Sequence, residues 1–222
     1  MAIEMPGGDI EVVQQTSVPS ERSRNALYLP ARRILRDEFR SPELNGLVAK
    51  MREVMHATGG IGIAANQLGK RLQIFMIEAK PTNPRYRGLG EVPFAVFINP
   101  RILAASPERR NFWHGCLSAV GAPRGNLATY EWIDIEAAGV DGTTRQERLG
   151  GLAAVIFQHE LRHLLGGTYL DKARELLAKP ELDEKLERQE RPFFERAEPG
   201  LPLLLDDYRV GESLEEYYAR RE

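Results

Sequence analysis

Cysteine is nearly missing from this chain: Cys116 stands alone among 222 residues. No intramolecular disulfide can form, which excludes a secreted disulfide scaffold and favours a reduced, cytoplasmic setting. Long apolar runs are absent as well. The longest uninterrupted stretch of apolar residues and glycine, Gly150 to Phe157 with Leu149 before it, is far shorter than the roughly 18 residues a helical bilayer span needs, so no membrane association is expected. Met1 to Pro6 show no basic segment leading into an apolar one, so no secretory signal is expected. Neither sign of charge dominates: 30 basic against 32 acidic residues leave a net charge of -2, and the molecule as a whole has no electrostatic reason to seek nucleic acid. Internal repeats and low-complexity segments are lacking too. What remains is 42% hydrophobic and 28% charged, the composition of a globular chain. At about 150 residues per domain the length predicts one domain with an extension.

Residues 1 to 40 lack sustained periodicity and read as an irregular arm. Ser41-Pro42-Glu43 then supplies an N-cap, a first-turn proline and a first-turn acid, announcing a helix. Leu44, Leu47, Val48, Met51, Val54 and Met55 recur at helical spacing until Gly59-Gly60. Leu72 to Ile77 and Phe94 to Ile98 read as strands, separated by a proline-rich loop over 81 to 93. Ala128 to Ala137 and Thr143 to Leu149 flank Asp141-Gly142, a hairpin signal that predicts antiparallel pairing. Gly150 to Gly166 reads as a helix apolar on nearly all sides, which belongs at the centre of the domain. Beyond Leu170 the composition changes: residues 171 to 222 hold ten basic and fifteen acidic residues, a local charge of -5. Asp171 to Gln189 is expected to be a charged helix with Leu176, Leu177, Leu182 and Leu186 on one side, and a second short helix is expected near Leu214 to Arg221. The division expected is thus a domain over 1 to 170 and an acidic, partly helical extension over 171 to 222, a solvated cap.

Within the apolar central helix lies His159-Glu160-Leu161-Arg162-His163, an H-E-x-x-H motif. Residues four apart share a helix face, so both imidazoles can reach one metal ion while Glu160, offset around the helix, can take a proton from water. From composition the motif arises by chance with a probability of about 0.008. Three unpartnered polar groups on so apolar a helix would cost several kcal/mol, and a metal supplies the compensation. Two histidines do not complete a tight catalytic site; a third ligand is needed. Cys116, in His114-Gly115-Cys116-Leu117-Ser118, is the candidate, although a lone cysteine is also commonly a small buried hydrophobe. Gly60 to Gln67, with two glycines and two alanines, allows close backbone approach to a ligand and presents the Gln67 amide.

Taken in order, Gly60-Ile61-Gly62-Ile63-Ala64-Ala65-Asn66-Gln67, then Gly115-Cys116-Leu117-Ser118, then Gln158-His159-Glu160-Leu161-Arg162-His163 resemble the three motifs of the peptide deformylases. The resemblance spans about residues 25 to 175. It implies an α+β fold in which antiparallel β-sheets surround a central helix carrying the H-E-x-x-H motif. It also implies a metal-dependent hydrolase that removes the N-formyl group from the N-terminal formylmethionine of newly made polypeptides. Carried over, it makes Cys116, His159 and His163 the metal ligands, Glu160 the general base and acid, and Gln67 with the backbone amide of Leu117 the holders of the oxyanion. Gly60, Ile61, Gly62, His114 and Arg124 fall at its substrate-binding positions. The implied cofactor is one divalent metal ion, Fe(II) by family habit, with Ni, Co or Zn as substitutes for the same donor set.

Four departures from the family pattern set further expectations. Position 114 is His where the family usually has glutamate, and three readings of it stand: a surface residue, a substrate-pocket residue, or a fourth metal ligand that would close the site. Position 162 is Arg where the family has aspartate, and Thr129 lies near the place of the arginine that pairs with that aspartate. Both halves of an ion pair have changed together, so Arg162 must find a new anion or reach solvent. The fourth departure is the acidic tail, where the family typically ends in a basic helix; phosphate contacts need clustered Lys and Arg. The expected partner is therefore an N-formyl peptide, with no direct nucleic-acid contact, no ribosome docking through the tail, and a monomeric or weakly dimeric state. Two alternatives to the deformylase reading are an amidase for another N-formyl substrate and a catalytically silent, metal-binding relative.

Overall fold

The computed structural model describes residue 3 and residues 11 to 83, 90 to 178, 180 to 182 and 195 to 221. Helix α1 (Pro19–Arg22) and a 3-10 turn (Ala26–Tyr28) lead to helix α2 (Pro42–Ala57), where Ser41 Oγ accepts from Leu44 N as the N-cap the sequence predicts. Strands β1 (Gly62–Ala64), β2 (Ile74–Ala79), β3 (Val92–Ala105), β4 (Arg109–His114), β5 (Arg124–Tyr130), β6 (Trp132–Ala138) and β7 (Thr144–Gly150) follow, then helix α3 (Gly151–Leu164), strand β8 (Glu175–Leu177) and helix α4 (Leu214–Ala219). The strands form a five-stranded sheet in the order β1-β2-β3-β6-β7 and a three-stranded sheet in the order β4-β5-β8, with all pairs antiparallel. This is the α+β architecture expected, with α3 at its centre.

Strand β2 shows why its sequence is continuously apolar. Phe75 and Ile77 face the core around α3, whereas Ile74 and Met76 face a second core under α2, so both sides of the strand are covered. Phe75, Phe97 and Phe157 meet with ring centroids 4.9 to 5.3 Å apart and lock α3 onto the large sheet. Each such ring pair contributes about 0.5–1.5 kcal/mol beyond its buried area. Gln158 is fully buried yet satisfied: its Oε1 accepts from Tyr130 N, and its Nε2 donates to Tyr130 O and Ala154 O.

Several local expectations are corrected. The run Ala128 to Ala137 is two strands, β5 and β6, in different sheets, because the chain changes sheet at Glu131. Ser106 makes that corner: its Oγ accepts from the backbone N of Glu131 at 2.9 Å and its own N donates to Trp132 O at 2.9 Å. Strand β3 runs far past Ile98 despite Pro100, because register shifts near Ile98–Arg101 and Asn99 at φ 52° absorb the missing donor. Of the charged helix expected from Asp171, Tyr169–Asp171 is a 3-10 turn and Glu175–Leu177 is strand β8, paired to β5. Leu186 and the rest of that stretch from 183 lie outside the described residues, as do 84 to 89 of the proline-rich loop.

The C-terminal segment is more than a solvated cap. Asn111 N donates to Glu195 O and Ala197 N to Arg109 O, covering the edge of β4, while Ala128 N donates to Pro202 O and Leu204 N to Ala128 O. Leu204, Leu205, Tyr208, Leu214 and Tyr217 are buried in the same core as α3. The backbone from Glu195 to Leu204 thus pairs strand edges that would otherwise be open, while these leucines and tyrosines anchor the segment in the core. Among the described residues no helix is long and apolar enough to cross a membrane.

Candidate active site

Three segments converge where α3 passes under β1. Strand β1 ends in a 3-10 turn (Ala65–Leu68) that buries Gln67, and Ala64 N donates to Gln67 Oε1 at 2.9 Å. That bond settles which end of the amide faces inward. Gln67 Nε2 donates to Ser118 Oγ at 3.0 Å and reaches Cys116 Sγ at 3.5 Å. Cys116 follows β4 and also accepts from Ser118 N at 3.3 Å. Gly62 is required at its position: a Cβ there would lie 2.4 Å from Glu160 Oε1. At Gly115 a Cβ would lie 2.4 Å from Arg124 Nη1, so the bare backbone there leaves the Arg124 side chain its place.

Cys116, His159 and His163 offer one ligand atom each, all within 4.8 Å of one another. Outer hydrogen bonds fix which imidazole nitrogens are available. His163 Nδ1–H donates to Gly167 O at 3.0 Å, leaving Nε2, which stands 3.1 Å from Cys116 Sγ. His159 Nδ1 is engaged with His114 Nδ1 at 3.1 Å, leaving its Nε2. Asn66 Nδ2 donates to His163 O at 2.7 Å and ties the first motif to the helix.

Electrostatics favour the neutral form of every group in the cluster. Burial, and then the Glu160 carboxylate, push the Cys116 thiol up to about 12. Burial, then the Arg124 charge, draws His159 down to about 4. Burial and then His159 hold His163 and His114 well below the usual imidazole range, and burial raises Glu160 well above the usual carboxylate range. Glu160 Oε2 is buried without a hydrogen-bond partner. A divalent cation fits this donor set: both imidazoles are already in the ligating form, and the thiolate that burial disfavours is the group a dication stabilises.

A cavity of about 1080 Å³ opens onto the cluster, lined by Gly60, Ile61, Gly62, Gln67, His114, Cys116, Leu117, Arg124, His159 and Glu160 among others. Thus the residues singled out from sequence as catalytic or substrate-binding all reach one space, and His163 stands behind it. The surface reading of His114 is corrected: it is 1% exposed, because β4 carries it inward opposite Gly125, against His159.

A family model described as polypeptide deformylase matches residues 21–179. The chain belongs to the peptide deformylase family. It is 37% identical over 147 residues to "Peptide deformylase 1" of Nitrosomonas europaea, an alignment covering 64% of this chain and 79% of that protein. It is 33% identical over 141 residues to a peptide deformylase of Leptospira biflexa, covering 62% and 76%. Its fold superposes on a Met-Ala-Ser-bound class I type b peptide deformylase from Acinetobacter baumannii with a TM-score of 0.67 and 28% identity, covering 73% of this chain and 96% of that one. A plant peptide deformylase superposes with a TM-score of 0.64 at 26% identity, covering 83% and 91%. Like its family, the chain is a metal-dependent hydrolase.

Sequence reasoning missed the N-terminal arm's part in this cavity. Glu11, Val12 and Gln14 line it. Val13 N donates to Gln67 O, Gln15 N to Ser118 O and Gln14 Nε2 to Leu117 O, so the arm spans the first two motifs. Nothing in the arm's composition signals this, because the bonds are mainly backbone ones. Arg162 has found its anion in Asp207, 45 positions further along the chain.

Proposed function

We propose that this chain is a peptide deformylase of the cytoplasm that hydrolyses the formyl amide of N-formylmethionyl peptides, with Cys116, His159 and His163 holding the metal. The observation that carries the reading is the meeting of those three ligand atoms with the unpartnered Glu160 Oε2 and the inward Gln67 amide in one cavity. The metal, Fe(II) by family habit, supplies Lewis acidity at the formyl oxygen and toward the attacking water.

The chain's own residues do the rest. The peptide lies in the cavity along Gly60, Ile61 and Gly62, where the absence of side chains at both glycines lets backbone meet backbone. Arg124 and His114 shape the far wall. Glu160 takes a proton from water as the oxygen attacks the formyl carbon; burial alone favours its neutral form, and the carboxyl would stay ionised for this role beside a dication held by the neighbouring ligands. The oxyanion that forms receives hydrogen bonds from Gln67 Nε2 and Leu117 N. Glu160 then returns the proton to the departing amine, so one water and one formyl amide become formate and a free amino terminus. His114 lies outside the three-ligand cluster and contacts His159 instead, which favours a site with an open position over a closed structural one.

The test is formate release from formyl-Met-Ala-Ser by iron- or nickel-loaded protein, measured beside Glu160→Ala. Release by the wild type and its loss in the variant, with one metal per chain in both, is the expected result. A wild-type protein that binds one metal and releases no formate is a silent relative, and an active protein that prefers a non-peptide formamide redirects the substrate.

A further inference from the structure

Arg162 lies between Glu160 and His163 on α3, so a permanent positive charge sits one residue from a candidate ligand. Its side chain is 5% exposed, and its Nη1 donates to both carboxylate oxygens of Asp207 at 2.8 and 3.0 Å. Asp207 comes from beyond residues 21–179, the part of the chain that matches the deformylase family. Around the same carboxylate stand Lys172 Nζ at 3.2 Å, Arg221 Nη1 at 3.0 Å and the donating Tyr217 hydroxyl at 3.1 Å. The guanidinium also packs on Gly167, where a Cβ would lie 2.6 Å from Arg162 Nη2. Gly167 is the residue whose carbonyl orients the His163 imidazole.

Buried ion pairs contribute little net stability over well-packed apolar residues, but removing one partner leaves a costly bare charge. Here the bare charge would be Arg162. It would repel a dication at His163, and by seeking solvent it would disturb the Gly167 turn. Lys172 and Arg221 cannot relieve it, since they carry the same sign. We propose that Asp207 is a positioning residue for the metal centre: by neutralising Arg162 in place it allows a dication to bind beside a buried cation, and so makes the C-terminal segment part of the metal site. The inference rests on Cys116, His159 and His163 being the ligands.

Cobalt(II) affinity of the full-length protein tests it, read by competition with a chelator through the thiolate-to-cobalt absorption. Wild type is expected to bind one cobalt per chain, Asp207→Asn about tenfold more weakly, and Asp207→Glu or the charge-free pair Arg162→Met/Asp207→Asn within about threefold of wild type. If Asp207→Asn does not fold, a folded double variant with wild-type affinity supports the same conclusion. Unchanged affinity in Asp207→Asn overturns the proposal. So does a double variant that binds as weakly as the single one, or that fails to fold, because the pair would then serve the fold itself. A wild-type chain that binds no cobalt removes the metal-centre reading and this inference with it.

Discussion

Two buried polar clusters share helix α3, and they are neutralised in opposite ways. Around Arg162 the chain supplies its own counter-charge, with Asp207 reached by three cations and a hydroxyl. Around His159 and His163 it supplies donors without a counter-charge, and Glu160 Oε2 is left without a partner. A cluster whose charges pair within the chain serves to hold something in place, although Arg162 Nε there is also buried without a hydrogen-bond partner. One that is incomplete serves to receive something, here a dication and the water and formyl group beside it.

The contrast is sharpest if the incomplete cluster loses a ligand. Cys116→Ala is expected to lower the metal content from one per chain to near none and to abolish formate release, checked by elemental analysis of the purified protein. Next, Glu160→Ala should keep the metal and lower kcat/KM by about 10²–10⁴, the range for losing a general base; metal loss in this variant would mean Glu160 belongs to the ligand set.

The complete cluster should answer to acid rather than to chelation. Burial by itself raises Asp207, but Arg162 and then Lys172 outweigh it and hold the carboxyl down at about 2, from 3.8. A depressed carboxylate stabilises the fold above its unfolded pKa and loses that contribution as pH falls through the folded one. Urea unfolding should therefore show about 2 kcal/mol disappearing between about pH 4 and pH 2, and this portion should flatten in Asp207→Asn. The smallest effect is expected where the clusters meet the first motif. Gly62→Ala pushes a methyl toward Glu160 and should cost about 1 kcal/mol of strain, the low end for overpacking because the carboxyl is the end of a side chain, seen as a lower kcat with the metal retained; unchanged kcat would show that Glu160 has room to move.

Much of the site is legible in the order of residues. The H-E-x-x-H spacing works through helix geometry alone, and α3 forms at Gly151–Leu164 as its apolar run and bounding glycines predict. The pieces that are not legible have a common cause. The sheet change at Glu131 depends on Ser106, 25 residues away. Strand β8 exists because β5 offers it an edge; its charged neighbours and leucines suit a helix equally well. His114 is hidden by pairing with Gly125, not by any local preference of its own.

By itself the sequence determined the chemistry: which side chains carry thiol, imidazole and carboxyl, their spacing on one helix face, the glycines that admit a backbone, and hence the family and its reaction class. Only the tertiary structure decided how charge is balanced around that chemistry. It brought Asp207 to Arg162, His114 to His159 and the N-terminal arm across Gln67 and Ser118. The reason is physical: helix and strand periodicity act over a few residues, whereas burial and Coulomb forces act through space, between groups whose separation along the chain carries no signal.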